Sequence, residues 1–208
     1  MPLHKIIHIN ENTTAYFWHI TEDVTSLFRA VSLRDTSLFR LEGMKSEAHQ
    51  KGFLAVRMLL QHLGYTDYDL TYNEAGKPHL SDGKHISISH SHEFSCICIS
   101  DELMGIDLEK LKEKTLKIAP RFMEVKHLEN LTTSEQIEKA TVIWGVKESI
   151  FKIKNEKGIS FPKHIFEKEF CLMDKKGLAE LKFNDLTEEY CFQFEFVDNY
   201  ALVCAFQN

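Results

Sequence analysis

Hydrophobic residues recur with helical spacing in two stretches of the chain. The first runs from Ser46, which is placed to cap a helix, to Gly64, which is placed to end it. The second, 133–155 (TSEQIEKATVIWGVKESIFKIKN), is longer and has Thr133 and Gln136 at the spacing of a capping box. The pattern therefore predicts two helices. In the second, charged residues interrupt a sequence that is otherwise almost completely apolar.

Segments with alternating apolar and polar residues follow each helix, and period-two alternation is typical of strands. These segments are YDLTY (68–72), HISIS (85–89) and FSCICIS (94–100) after the first helix, and KEFCLMD (168–174), LAELKF (178–183), YCFQFEFV (190–197) and YALVCAF (200–206) after the second. A helix followed by strands, twice over, predicts an α+β fold with two similar halves. We expect the halves to be 1–102 and 103–208, meeting near Asp101 to Leu103.

The overall composition narrows the class of function. The chain has 208 residues, 43% of them hydrophobic, which is enough for a substantial core. Asp and Glu outnumber Lys and Arg by 31 to 25, and the net charge of -6 disfavours non-specific binding to nucleic acid. We expect no signal peptide and no membrane span, because no uncharged apolar stretch approaches ~20 residues. Five cysteines without a CxxC pair favour reduced thiols in a cytoplasmic protein.

Two carboxylates stand at alternate positions of the segment MGIDLEK, 104–110. On an extended strand Asp107 and Glu109 project from the same face, where they repel each other unless a cation or a proton lies between them. Paired oxygen ligands suit Mg²⁺, which often holds substrate phosphates as well. The alternative is a solvent-facing strand with two ordinary acidic residues.

The second helix carries charges in the apolar stretch WGVKESIFKI, 144–153. Glu148 follows Trp144 by one turn on the same face, and a buried carboxylate there must be paired, bound to a metal or protonated. Lys152 lies four residues further on, so the alternative is an ordinary Glu–Lys pair at a helix edge. Gly145 costs about 1 kcal/mol in a helix interior, which suggests that another group approaches closely there.

Two further segments have the composition of anion-binding turns. In ISISHSHEF, Ser89 and His90 follow a short strand and can present a hydroxyl and an imidazole to an anion. Alternatively, His90 is a structural histidine or a metal ligand together with His92. In NEAGKP, Gly76 lets the backbone approach a ligand and Lys77 offers a point charge to phosphate, although a plain surface turn has the same composition.

In this order, NEAGKP, ISISHS, GIDLEK and WGVKESIFK resemble the signature motifs of the 4'-phosphopantetheinyl transferase superfamily. The resemblance is to its single-chain, two-half (Sfp-type) branch, and KGISFP after the helix is similar to the glycine-containing turn of that family. It implies two similar α+β halves related by a pseudo-twofold axis, with the active site in the cleft between them. The implied reaction moves phosphopantetheine from coenzyme A to a serine of an apo acyl or peptidyl carrier protein and releases adenosine 3',5'-bisphosphate.

The resemblance also implies a role for each motif residue. The Mg²⁺ ligands would be Asp107, Glu109 and Glu148. The residues that hold coenzyme A would be Lys51, Lys77, Ser89, His90 and Lys152, with His90 on the 3'-phosphate. Catalysis would rest on Lys152, facing the reacting pyrophosphate, and on Glu148 or a metal-bound water, which would deprotonate the serine. We expect a monomer in the cytoplasm that binds neither nucleic acid nor membrane.

Two features bear on the substrates. The segment before the first helix is less basic than the family pattern implies, and its candidates for the 3'-phosphate are Arg34, Arg40, Lys45 and Lys51. The cations that would dock an acidic carrier protein are Lys110, Lys112, Lys114, Lys117 and Arg121, although a solvated loop of mixed charge has the same composition.

Two other functions are compatible with the motifs. One is a different Mg²⁺-dependent phosphoryl-transfer enzyme such as a nuclease, which the acidic composition disfavours. The other is a non-catalytic module that holds coenzyme A or a carrier protein, which the complete set of acidic residues and Lys152 disfavours.

Overall fold

The computed structural model describes residues 3–208, and the chain divides into two compact units, Met1–Glu102 and Leu103–Asn208. The first unit contains nine elements: β1 (Leu3–Asn10), β2 (Thr13–His19), α1 (Val24–Ala30), α2 (Asp35–Glu42), α3 (Glu47–His62), β3 (Leu70–Tyr72), β4 (Pro78–Leu80), β5 (His85–Ser91) and β6 (Phe94–Ser100). Four of the strands form an antiparallel sheet in the order β1-β2-β6-β5, and β3 pairs with β4.

The second unit is built on one antiparallel sheet with the strand order β7-β11-β10-β9-β8. Its elements are β7 (Met104–Lys110), α4 (Lys114–Ile118), α5 (Thr133–Lys154), α6 (Phe161–His164), β8 (Ile165–Glu167), β9 (Lys176–Phe183), β10 (Leu186–Val197) and β11 (Tyr200–Gln207). Short 3₁₀ turns occur at Ala119–Arg121, Val125–Leu128 and Leu172–Asp174.

Each unit packs one long helix against its sheet. In the first, α3 buries Ala55, Leu59 and Leu60 against a core that includes Trp18 and Ile97. In the second, α5 contributes buried residues on several sides, in a core that also contains the sheet residues Phe192, Phe194 and Val203. Burial of such side chains contributes roughly 1.5–3 kcal/mol each to the free energy of unfolding. The α+β class predicted from the periodicity is confirmed.

The two units share a strand order around their long helices. In the first, the strand before α3 (β2) pairs with the last strand (β6), which pairs in turn with β5. In the second, β7 comes before α5 and pairs with the last strand, β11, which pairs in turn with β10. A common internal topology therefore underlies the repeated pattern of helix and strands.

The helix boundaries follow the predictions with small corrections. Ser46 stands at the N-cap position of α3 without a capping hydrogen bond from its side chain, and Gly64 follows the helix in the left-handed conformation (φ +84°). The capping box of α5 consists of Thr132 and Glu135, so the prediction of Thr133 and Gln136 was wrong by one residue. Adjacent hydroxyl and polar residues make that register ambiguous in the sequence.

The strand predicted at 168–174 was wrong. The chain instead pairs at β8, where Ile165 faces Leu181 and Glu167 faces Ala179. The last hydrogen bond of this pairing runs from the Lys168 amide to the Leu178 carbonyl, after which the chain turns back towards the start of β9. The segment 168–174 is therefore the connection between two antiparallel strands. The sequence analysis also assigned no elements before Ser46, where β1, β2, α1 and α2 lie.

Within residues 3–208, none of the helices is both long enough and apolar enough to cross a lipid bilayer.

Candidate active site

The motif helix α5 lies unusually close to the sheet at two glycines. A Cβ atom on Gly105 of β7 would stand 2.1 Å from the Ser149 carbonyl oxygen, and one on Gly145 of α5 would stand 2.6 Å from Val203 Cγ2. The Ser149 hydroxyl also donates a hydrogen bond to the Val203 carbonyl (3.3 Å). Glycine at these two positions lets the helix approach both β7, which carries the predicted metal ligands, and its neighbour β11. The close approach predicted at Gly145 is confirmed.

An ion pair joins this helix to β7. Lys152 donates hydrogen bonds to Asp107 Oδ1 (2.9 Å) and to the Ile106 carbonyl (2.8 Å). Asp107 is only 5% exposed. The solvent-facing alternative therefore fails for Asp107, and Lys152 forms its salt bridge across to the strand. The pairing choice depends on tertiary contact, because the i,i+4 spacing alone favours Glu148 as the partner of Lys152.

The pKa of Glu148 is shifted by its burial and by the charged groups on and near β7. Burial raises the pKa of the Glu148 carboxyl to about 7; the Asp107 and Glu109 carboxylates add to this increase, and the Lys152 ammonium opposes it. The three predicted metal ligands therefore interact electrostatically, even though they come from two elements distant in sequence. Near neutral pH, Glu148 is poised between its protonated and ionised forms.

The chemistry of these donors fits Mg²⁺, although they are not gathered around a ready-made position. Three carboxylates supply only oxygen ligands, which Mg²⁺ prefers, and a bound cation would offset the repulsion that raises the Glu148 pKa. In the part of the chain that the structure describes, no group of three or more His, Cys, Asp or Glu side chains is arranged to hold a metal ion. The assignment of Asp107, Glu109 and Glu148 as ligands therefore stays a prediction.

In the first unit, two of the predicted coenzyme A residues lie beside α3. The His90 ring packs on Gly52, where a Cβ atom would stand 3.1 Å from His90 Cδ2, and it meets the His49 ring edge to face. Lys51 precedes Gly52 and forms a salt bridge to Glu47 (3.0 Å). The structure thus brings His90 near the helix turn that carries Lys51. Ser89 is buried in β5, next to His90 in the chain.

A cavity of about 470 Å³ opens next to Lys51. Its lining comes from the end of β2, the first turns of α3 and the turn between β5 and β6: Ile20, Glu47, Ala48, Lys51, His92 and Glu93. His92 adopts a left-handed backbone conformation (φ 52°) in that tight turn. The two glutamates make this cavity less basic than a phosphate site built from Lys and Arg alone.

Lys77 lies in a tight turn that leads into β4. The Asn73 side chain accepts a hydrogen bond from the Lys77 amide (2.9 Å), and the Asn73 carbonyl accepts one from the Gly76 amide (2.9 Å). Gly76 has φ +82°, which explains why glycine occupies that position. The strand β4 that follows Lys77 contacts β5, which carries Ser89 and His90.

Two of the upstream arginines have partners within the first unit. The Arg34 guanidinium donates to the Leu70 carbonyl (2.8 Å), and the Arg40 guanidinium lies 4.5 Å from the centre of the Tyr72 ring. These contacts tie α2 to the segment around β3. They give both arginines a role in the packing of the first unit.

A second ion pair of α5, which is fully buried, was not predicted from the sequence. Lys147 is 2% exposed and lies 2.6 Å from the Glu167 carboxylate of β8. Burial lowers the Lys147 pKa, and Glu167 opposes that effect. The only signal in the sequence was a lysine in an apolar helix, which does not identify its partner.

Comparison with known proteins identifies a family and several similar sequences. A family model of the 4'-phosphopantetheinyl transferase superfamily matches residues 103–205. The 4'-phosphopantetheinyl transferase gsp of Aneurinibacillus migulanus is 33% identical over 121 residues, which are 55% of this chain and 51% of the relative. The 4'-phosphopantetheinyl transferase Sfp of Bacillus subtilis (strain 168) is 31% identical over 128 residues, and ffp of Bacillus subtilis 30% over 128, in both cases 57% of each chain.

The matches thus span only about half the length of these curated relatives. Even so, the family model extends from Leu103 to Ala205 and covers nearly the whole of the second unit, including β7 and α5. The chain therefore belongs to the 4'-phosphopantetheinyl transferase superfamily, in its single-chain, Sfp-type branch.

Proposed function

We propose that this protein transfers the 4'-phosphopantetheine group of coenzyme A to a serine of an apo acyl or peptidyl carrier protein, with Mg²⁺, and releases adenosine 3',5'-bisphosphate. The observation that carries the proposal is the ion pair between Lys152 of α5 and Asp107 of β7 (2.9 Å), which joins the helix that carries Glu148 to the strand that carries Asp107 and Glu109. The names of the similar proteins support the same reaction.

The residues present suit a nucleophilic attack on phosphorus. A bond forms between the serine oxygen and the β-phosphorus of coenzyme A, and the bond from that phosphorus to the departing bisphosphate breaks. Glu148, one helical turn before Lys152 on α5, would act as the general base and accept the serine proton. Lys152 would stabilise the negative charge that develops on the phosphoryl oxygens.

The remaining roles concern binding. Asp107, Glu109 and Glu148 would hold Mg²⁺, which when bound supplies positive charge to the pyrophosphate. Lys152 would also contact that end of coenzyme A. At the nucleotide end, we assign Lys51, Lys77, Ser89 and His90, with His90 on the 3'-phosphate. The positions of His90 and Lys51 against the same turn of α3 support a shared role for these two.

The proposal is tested by mass spectrometry of carrier proteins. Incubation with Mg²⁺ and coenzyme A should raise the mass of an apo carrier protein by one phosphopantetheine group, and a chelator should prevent the gain. Asp107→Asn is the matched negative control, because it keeps the shape of the side chain and removes its charge. If carriers from fatty acid, polyketide and peptide synthesis all fail to gain mass, the proposed activity is wrong.

We also propose that the segment after β7 docks the carrier protein. Its cations Lys112, Lys114, Lys117 and Arg121 are all exposed, so they can attract an acidic partner. Lys110 belongs to the same run of sequence, but its ammonium group lies over the Tyr200 ring (5.4 Å).

Charge reversal of this segment should act on the carrier protein alone. We expect Lys112→Glu combined with Lys117→Glu to raise the KM for the carrier at least about fivefold at low salt, and less at high salt. The KM for coenzyme A should not change. Lys163→Glu combined with Lys176→Glu changes the net charge equally at exposed sites elsewhere and serves as the control. Equal carrier KM values for the two double variants would contradict the docking proposal.

We propose further that the protein acts in the cytoplasm. The cysteines are in the reduced thiol form, which persists in a reducing compartment.

A further inference from the structure

Lys147 immediately precedes the proposed base Glu148, yet its side chain leads to the opposite edge of the sheet. The Lys147 ammonium donates a hydrogen bond to the Ile165 carbonyl and lies 2.6 Å from Glu167 Oε2, both on β8. The side chains of Lys147 and Glu167 are 2% and 4% exposed. His127 adds a third polar group, with its Nε2 atom 3.8 Å from Glu167 Oε1.

This ion pair is almost completely removed from solvent. A cavity of about 250 Å³ adjoins it, and its lining combines the apolar residues Phe122, Met123, Pro162 and Phe166 with the polar residues Glu124 and His127. Desolvating two charges costs free energy, and a buried ion pair is often no more stabilising than apolar residues of the same volume. Stability alone therefore does not explain a lysine and a glutamate here. What an ion pair with a hydrogen bond adds is a fixed direction and register between two elements.

The two elements are α5 and the sheet, and the ion pair would fix the rotation and position of the helix relative to the strands. The sheet begins with β7 at one edge and ends with β8 at the other. Lys152 binds Asp107 on β7, and Lys147 binds Glu167 on β8, so two lysines of one helix attach it to both edges. Neighbouring helix residues project about 100° apart. With Lys147 held at β8, rotation of the helix about its axis is restricted, and Glu148 is held in the electrostatic field of Asp107 and Glu109.

We infer that Lys147 is a positioning residue, which acts through Glu167 and the Ile165 carbonyl to fix the rotation of α5 and thereby to orient Glu148 for the proton transfer. This inference rests on the proposed transferase function, because it assigns Lys147 to the same reaction. It does not require Lys147 to touch a substrate.

The inference is tested with the double variant Lys147→Met, Glu167→Met, alongside each single variant. Each single variant leaves one charge buried without its ion-pair partner, so we expect lower denaturation midpoints. The double variant replaces the pair with apolar residues and should recover the midpoint. The control is Lys139→Met, the same substitution at a buried lysine of α5 two turns earlier, where the ammonium lies over the Phe170 ring (5.1 Å).

Two measurements on the double variant decide the question. Amide hydrogen exchange in residues 148–154 should accelerate at least about tenfold relative to the wild type, while exchange in β10 and β11 stays unchanged. In the transfer assay, kcat should fall at least about tenfold with the KM for coenzyme A within about twofold, as expected for loss of orientation. Lys139→Met should change neither measurement.

Unchanged exchange in 148–154 would overturn the positioning role, whatever the activity. Accelerated exchange with an undiminished kcat would overturn it as well, because α5 would then be loosened without consequence for the reaction. If the wild type transfers nothing to any carrier, the proposed function has failed, and hydrogen exchange alone then decides whether Lys147 and Glu167 hold α5 in register.

Discussion

Replacing Glu148 with glutamine is expected to abolish phosphopantetheine transfer and, in the same protein, to stabilise the fold. Glutamine keeps the shape of the side chain but can neither accept the serine proton nor carry the charge that a metal ion needs. We expect kcat to fall by about 1,000-fold, within the usual range for loss of a general base. The gain in stability has a separate cause, because wild-type Glu148 ionises in a half-buried site, where two other carboxylates add to the cost of its charge.

The pH window of the stability effect follows from the two pKa values. Glu148 has a pKa of about 7 in the folded protein, against an ordinary value of 4.5 for a glutamate in water. Between these values the folded state binds more protons than the unfolded state, so wild-type stability falls as the pH rises through this window. The penalty is fully present above about pH 7, and with partial exposure of the side chain it should reach about 2 kcal/mol. Glutamine does not ionise and avoids this penalty.

Urea denaturation of both proteins without divalent ions measures this effect. At about pH 5 the two should differ little, and at about pH 8 Glu148→Gln should be the more stable. Mg²⁺ added at the higher pH should raise the denaturation midpoint of the wild type more than that of the variant, because the carboxylate is the proposed ligand. A variant that is less stable than the wild type at both pH values would refute the electrostatic strain at Glu148.

The second large effect is expected from adding one methyl group to Gly105. In Gly105→Ala the new Cβ atom would stand 2.1 Å from the Ser149 carbonyl oxygen and 3.1 Å from Ile153 Cγ1. The nearest obstacle is helix backbone, which cannot rotate away, so α5 must move from β7. Overpacking of this kind costs about 1–3 kcal/mol. Since a displacement of 1 Å can cost about 100-fold in rate, we expect kcat to fall by about that factor.

Thermal denaturation and the transfer assay together check the Gly105 prediction. Gly43→Ala is the matched control: its Cβ atom would meet nothing closer than 3.5 Å, and its φ of -71° suits alanine. The control should keep full activity and change stability by no more than about 1 kcal/mol. If Gly105→Ala behaves like the control, the close contact between α5 and β7 is not a requirement of the site.

Features that depend on local periodicity were predictable from the sequence. The predicted strands 94–100 and 104–110 coincide with β6 and β7, and the second helix was placed within one residue at each end. The alternation of MGIDLEK put Asp107 and Glu109 on one face, and the Glu148 pKa reflects the charges of both. Side-chain direction on a strand or helix follows from backbone geometry alone, and that is why these predictions hold.

Elements whose residues show no such periodicity were either not predicted or predicted wrongly. The hairpin of β1 and β2 has no strong alternation in its first strand, where four of the eight residues are exposed and none is buried. The segment 168–174 looked like a strand, but its pairing had already ended at β8. A connecting segment and a strand can have similar compositions. They differ only in whether another strand lies alongside and pairs with them.

For this protein, residue patterns along the chain were enough to identify the family and the α+β class and to name candidate residues for the chemistry. The tertiary structure decided how those residues are paired: Lys152 with Asp107, and Lys147 with Glu167. It also decided that Gly105 must accommodate the backbone of α5 and that the Glu148 pKa rises towards 7. The physical reason is that charge interactions and packing depend on distances between segments far apart in the chain, and no local pattern of residues encodes those distances.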